Sequence, residues 1–155
     1  MADYQYFNHV PFMEDMAYSL RGLGLVHDMD TAHIIFNPTA VKEREVMIYS
    51  NDRGKLPNGD LSHAAFSVIE WWRRIGVTSF DMVVYMPPLG PKDESYWHNF
   101  YPLMRMVDRG SEGAKTSDFG TMEVYVSPVV ASDQLKQSAM FGQYLESTQK
   151  LAAAA

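Results

Sequence analysis

Cysteine is missing from this chain altogether. That removes a disulfide framework, a thiolate nucleophile and any thiolate-held metal or cluster. Positive charge is scarce: 13 lysines and arginines face 19 aspartates and glutamates, for a net charge of −6. A broad nucleic-acid face or an anionic-membrane face needs the opposite field, so neither partner is expected, although a local basic site stays open. Long apolar runs are absent as well; none approaches the roughly 20 residues that a membrane span requires. The opening stretch, Met1 to Asp15, has acids and aromatics where a secretory leader carries basic and then apolar residues. Together these absences predict a soluble, cytoplasmic protein.

What is present is enough for one domain with a real core: 155 residues, 46% of them hydrophobic. Methionine occurs 11 times, beside three Trp, nine Tyr and eight Phe. Methionine fills irregular gaps, and aromatics dominate interface energetics. These side chains therefore serve either a core or a contact with another subunit.

Residues 1–31 read as an aromatic-rich arm, packing on the body or on a partner, with Phe7 and Phe12 as interface candidates. Within it, Met13, Met16, Ala17 and Leu20 have helical spacing, and Gly22 and Gly24 end the helix. His27-Asp28-Met29-Asp30 reads as a loop. Residues 32–150 read as a single domain, followed by a tail at 151–155. Strands are expected at Ala32–Phe36 and Glu45–Ser50, with a turn-rich loop at Asn51–Asp60. Asp60 or Ser62 caps a helix whose stripe is Ala65, Val68, Ile69, Trp72 and Ile75. Arg73 and Arg74 suit its last turn, and Gly76 the position just past it. Further strands are expected at Val77–Met86, Tyr96–Tyr101 and Met122–Val126. Ser132 or Asp133 then caps a last helix reaching Lys150. Strands joined by short loops, with two principal helices packed against them, make an α+β fold with a mostly antiparallel sheet.

Five histidines are present, and no pair has the two-, three- or four-residue spacing of a metal site. No metal and no cofactor are expected. Arg105, Arg109 and Lys115 are positive spots near loops that could serve a phosphate as charge-assisted donors. Trp71 and Trp72 point about 100° apart on their helix, so Trp71 is a candidate interface anchor beside a core Trp72.

One stretch carries a further likeness. Phe80 to Pro88 is an apolar run ending in two prolines, and Asp93-Glu94 follows in a polar turn. Tyr96-Trp97-His98 comes next, then Pro102, Phe119-Gly120-Thr121 and a run to Pro128. In this order the chain resembles the histidine-triad superfamily, and within it the C-terminal half of galactose-1-phosphate uridylyltransferase, over roughly residues 32–145. The resemblance implies a sheet in which a helix precedes two long central strands, with catalytic histidines near the end of the second. In that family a histidine attacks the α-phosphorus of a nucleotide, and neighbouring imidazoles and amides hold the phosphates. The motif needs histidines at alternate positions, so that their rings share one face of a strand. By this likeness His98 is the catalytic candidate, and Tyr96 stands where the first histidine belongs. A lone imidazole cannot close a metal site. Two functions remain open: an accessory, non-catalytic subunit of a larger assembly, held by a protein partner or as a homo-oligomer, or a nucleotidyl transferase or phosphoester hydrolase whose site at His98 is completed by another chain. A nucleotide or phosphate is the ligand the likeness implies.

Overall fold

A computed structural model of the chain describes residues 2–40, 42, 44–53, 59–89, 97–110 and 133–154. Two short helices come first, α1 (Ala2–Asn8) and α2 (Phe12–Arg21). α2 has Glu14 and Asp15 in its first turn and Arg21 in its last, charges placed to suit the helix dipole. Strands β1 (Val26–Met29), β2 (Ala32–Phe36) and β3 (Val46–Ser50) follow, then helix α3 (Gly59–Arg74). Strands β4 (Phe80–Tyr85) and β5 (Leu103–Asp108) come next, and helix α4 (Gln134–Ala153) is last.

The five strands form one antiparallel sheet in the order β1-β2-β3-β5-β4. The fold is α+β, as the element order implies. Alternation along the strands sorts the side chains onto two faces. Ile34, Phe36, Val46, Ile48, Met104 and Met106 point to α3 and α4 and form the larger core. Ile35 and Tyr49 point the other way, where Met13 and Ala17 of α2 cover them together with Tyr101. Among the described residues no helix is long and apolar enough to cross a membrane.

Both α2 and α3 stop in the same way. The Gly24 amide bonds to the Arg21 carbonyl, and the Leu25 amide to that of Leu20. The Gly76 amide bonds to Arg73 and the Val77 amide to Trp72. This pattern needs a left-handed residue just past the helix, and Gly24 and Gly76 supply it at φ +70° and +88°. In each case the apolar residue after the glycine, Leu25 or Val77, drops into the core. At the other end of the chain Asp133 caps α4, accepting from the Leu135 and Lys136 amides at 3.0 and 3.3 Å.

Three expectations are corrected. His27–Asp30 is not a loop: Val26–Met29 is the edge strand β1, so the sheet begins inside the segment read as an arm. Of the strand expected at Tyr96–Tyr101, Tyr96 lies outside the described residues and 97–101 is not strand. Trp97–Phe100 is a turn closed by the Phe100 amide on the Trp97 carbonyl, and the strand that pairs with β4 starts after Pro102. Trp71 is not at a surface but 2% exposed, packed against Phe36 and Phe141 with ring centroids 5.8 and 5.3 Å away. Trp72 packs toward Phe80. The two indoles do diverge, but α4 lies alongside α3 and covers the side that Trp71 occupies. The expected strand at Met122–Val126 lies outside the described residues.

Candidate functional site

A cleft of about 540 Å³ opens between α2 and the sheet. Glu14, Asp15, Tyr18 and Arg21 of α2 wall one side, and His33 and Tyr49 of the sheet, with Asn51 just after β3, wall the other. The register explains how the sheet side assembles. Asp28 of β1 faces His33 of β2, and His33 faces Tyr49 of β3, so three consecutive strands place one polar or aromatic group each in a row.

His33 is the most constrained of these groups. Its Nδ1 meets Asp28 Oδ1 at 2.5 Å and its Nε2 meets Asn51 Nδ2 at 2.7 Å. The carboxylate fixes the proton on Nδ1, which leaves Nε2 to accept from the Asn51 amide. Arg21 Nη2 donates to Asp28 Oδ1 at 2.7 Å and lies 3.3 Å from His33 Nδ1. The Arg21 bond, with His33 adding to it, holds the Asp28 carboxyl below the ordinary carboxylate range. Tyr49 lies tilted against the imidazole, 34° between planes and 4.7 Å between centroids, and burial pushes its phenol up to about 12. An imidazole oriented by a carboxylate beside a cavity can accept a proton or hold a polar ligand.

The far end of the cleft is a second tied cluster. Arg53 donates to Glu14, and the Tyr101 hydroxyl donates to the same carboxylate oxygen at 2.7 Å. Arg53 also lies over the Tyr101 ring, 5.0 Å from its centroid. Burial, and then Glu14, raise the Tyr101 phenol above its ordinary value. Tyr4 donates to Asp15. The carboxylates of α2 that border the cleft thus each have a donor from within the chain.

Of the residues singled out in the sequence, none of the described ones lines this cleft. His98 is exposed in the turn after Trp97, and Tyr96 and Lys115 lie outside the described residues. Arg105 donates to Glu45 at 2.8 Å, a carboxylate that is 2% exposed. Arg109 pairs with Asp81 at 3.3 Å. Each arginine is tied to a carboxylate on its own region of the sheet. Phe7 and Phe12 are both exposed, and Phe12 packs edge-on to Tyr4. No group of three or more metal-ligating side chains is found among the described residues.

The pair Asp28–His33 was missed because β1 was read as loop. Its signal was there: a two-residue connection, Asp30-Thr31, pairs positions five apart, and Asp30 adopts the left-handed φ of 51° that such a turn requires.

No protein-family model matches the chain, and no curated protein matches it. Solved structures do match in fold. A uridylyltransferase mutant superposes with a TM-score of 0.65 at 10% identity, over 95% of this chain and 50% of its own. A second uridylyltransferase structure gives 0.60 at 14% identity, over 94% of this chain and 49% of its own. The chain therefore has a uridylyltransferase-like fold and spans about half the length of the structures it matches.

Proposed function

We propose that the chain is an accessory, non-catalytic module built on a uridylyltransferase-like fold, working with a protein partner or a second copy in a larger assembly. One observation carries the reading. Among the described residues the second strand after α3 is β5, where the histidine-triad likeness would put alternating imidazoles. Its residues toward the α2 side of the sheet are Leu103, Arg105 and Val107, and toward α3 they are Met104, Met106 and Asp108. Neither face of β5 offers an imidazole; the Asp108 carboxylate is buried against Arg44, and the Arg105 guanidinium is committed to Glu45.

The test is intact-mass spectrometry of the full chain after incubation with uridine nucleotides. No covalent uridylyl adduct is expected, and His98→Ala should behave as the parent does. An adduct that disappears in His98→Ala would overturn the proposal.

The cleft favours one second reading. If the chain does transfer or hydrolyse a phosphoester, the imidazole that supports it is His33, because it has an orienting carboxylate and faces a cavity. His33→Ala would then abolish turnover and leave His98→Ala active. A nucleotide or phosphate bound without turnover would fit the accessory reading.

A further inference from the structure

Tyr49 is 1% exposed and lines the cleft between α2 and the sheet, yet no described residue hydrogen-bonds its hydroxyl. Other polar groups on the sheet have partners. Tyr101 donates to Glu14 at 2.7 Å, and His27, on the opposite face of β1 between Phe36 and Phe141, meets Ser138 Oγ at 2.8 Å. A buried hydroxyl left alone carries a desolvation cost that a ligand relieves. Burial keeps the Tyr49 phenol protonated at neutral pH, so it is a donor. Asn51 points Nδ2 at His33, which leaves its Oδ1 to accept.

The α2 side of the cleft adds acceptors. Arg53 and Tyr101 both donate to Oε1 of Glu14, and among the described residues Oε2 has no bond. Asp15 takes the Tyr4 hydroxyl on Oδ2. That donor is neutral, so the Asp15 charge stays unmatched. Every other charge lining the cleft is met: Arg21 by Asp28, and Glu14 by Arg53. His33 uses Nδ1 on Asp28 and Nε2 on Asn51. Tyr18 stands four residues after Glu14 and three after Asp15 on α2, so its ring, 77% exposed, borders both acids. We infer that the cleft binds a small hydroxylated amine: Asp15 takes the ammonium, with Glu14 and the face of Tyr18 beside it, and the ligand's hydroxyl accepts from Tyr49 and donates to Asn51.

Other ligand chemistries fit less well. A phosphate would have to draw Arg21 off Asp28 or Arg53 off Glu14, and would then stand beside Asp15. A hard divalent cation takes about six or more oxygens, and no group of three or more metal-ligating side chains is found among the described residues. An ammonium is satisfied by a few acceptors and gains from an aromatic face. The cleft, at about 540 Å³, lies within the roughly 300–1,000 Å³ of small-molecule sites. The inference goes beyond the accessory reading, which rests on β5 and is decided by the uridylyl adduct; the cleft's ligand is decided by binding alone.

Titration of the full chain at neutral pH, followed by NMR, tests this with phenylethanolamine as the probe. Methyl phenyl carbinol lacks its ammonium, phenethylamine lacks its hydroxyl, and inorganic phosphate is the anionic rival. The probe should bind about tenfold tighter than the carbinol, as a charge-assisted bond implies, and about threefold or more tighter than phenethylamine. Asp15→Asn should largely remove the first margin, and Tyr49→Phe the second. Tyr49→Phe should also melt no lower than the parent, because the hydroxyl bonds nothing in the fold, so its lost margin cannot come from damage to the sheet. The inference is overturned if phosphate binds more tightly than the probe, or if the organic probes bind alike or not at all. It is also overturned if Asp15→Asn leaves the first margin unchanged or Tyr49→Phe leaves the second.

Discussion

Phe141→Ala measures how much of the fold depends on the α4 seat. The side chain is 0% exposed, and its ring neighbours are Phe36 at 5.6 Å, Trp71 at 5.3 Å, His27 at 5.2 Å and Tyr144 at 5.9 Å. Three of these neighbours come from β1, β2 and α3, so the hole left behind is walled by separate elements and cannot close by moving one of them. Truncations of this kind cost about 3–5 kcal/mol, and the upper half of that range fits a site that relaxes little. Domains are stable by about 5–15 kcal/mol, so the loss is a large fraction of the whole. For a chain of this size the melting temperature should fall by roughly 6–20 °C. Urea unfolding should show an earlier midpoint with an unchanged slope, since the surface exposed on unfolding stays the same. Leu135→Ala on the same helix is the control: that side chain is 55% exposed, and the change should stay within about 0.5 kcal/mol. A Phe141→Ala loss under about 1 kcal/mol, or one equal to that of Leu135→Ala, would show that α4 does not share the core described above.

Gly76→Ala should destabilise by about 1–2 kcal/mol, because φ there is +88°; a melt that does not move would contradict the helix end. Tyr101→Phe removes the donor 2.7 Å from Glu14 and should lose about 1–2 kcal/mol, with the loss largely gone in a Glu14→Ala background, which lacks the acceptor. Asp28→Asn tests the acid side. The Arg21 and His33 bonds lower the Asp28 value from 3.8, so its stabilisation is whole above that pH and disappears as pH falls through the folded value. The variant should start less stable at neutral pH and show a shallower acid slope; an acid profile parallel to the parent's would refute the role given to the carboxylate.

Much of the fold was legible because it rests on local rules. The α3 stripe, its arginine-rich last turn and Gly76 are signals within a few residues of one another, and they placed the end of the helix; its start at Gly59 leaves Asp60 and Ser62 inside it and not as caps. Asp133 as the α4 cap and Ala32–Phe36 as a strand were equally local. What failed depended on distance. Trp71 was assigned to a surface because one helix's periodicity cannot show that a second helix, some 70 residues later, covers its flank. β5 was missed because the strand was placed at Tyr96–Tyr101 and Arg105 was taken as a positive spot near a loop, whereas its guanidinium is tied to Glu45, which is buried beside β3. The cleft was the least legible part. Its groups come from α2, β1, β2, β3 and the loop after β3, and only strand register brings Asp28, His33 and Asn51 within bonding reach.

The adjacency of His27 and Asp28 on an outer strand has a consequence for how the hairpin finds its alignment. Sliding β1 by one position would exchange the two side chains between faces. A carboxylate would then be thrust between Phe36 and Phe141 with no arginine to meet it, a penalty of several kcal/mol. The imidazole would be stranded beside α2 without its serine. An edge that could pair in two ways is thereby restricted to one, by two neighbouring residues whose chemistries suit opposite sides of the same ribbon.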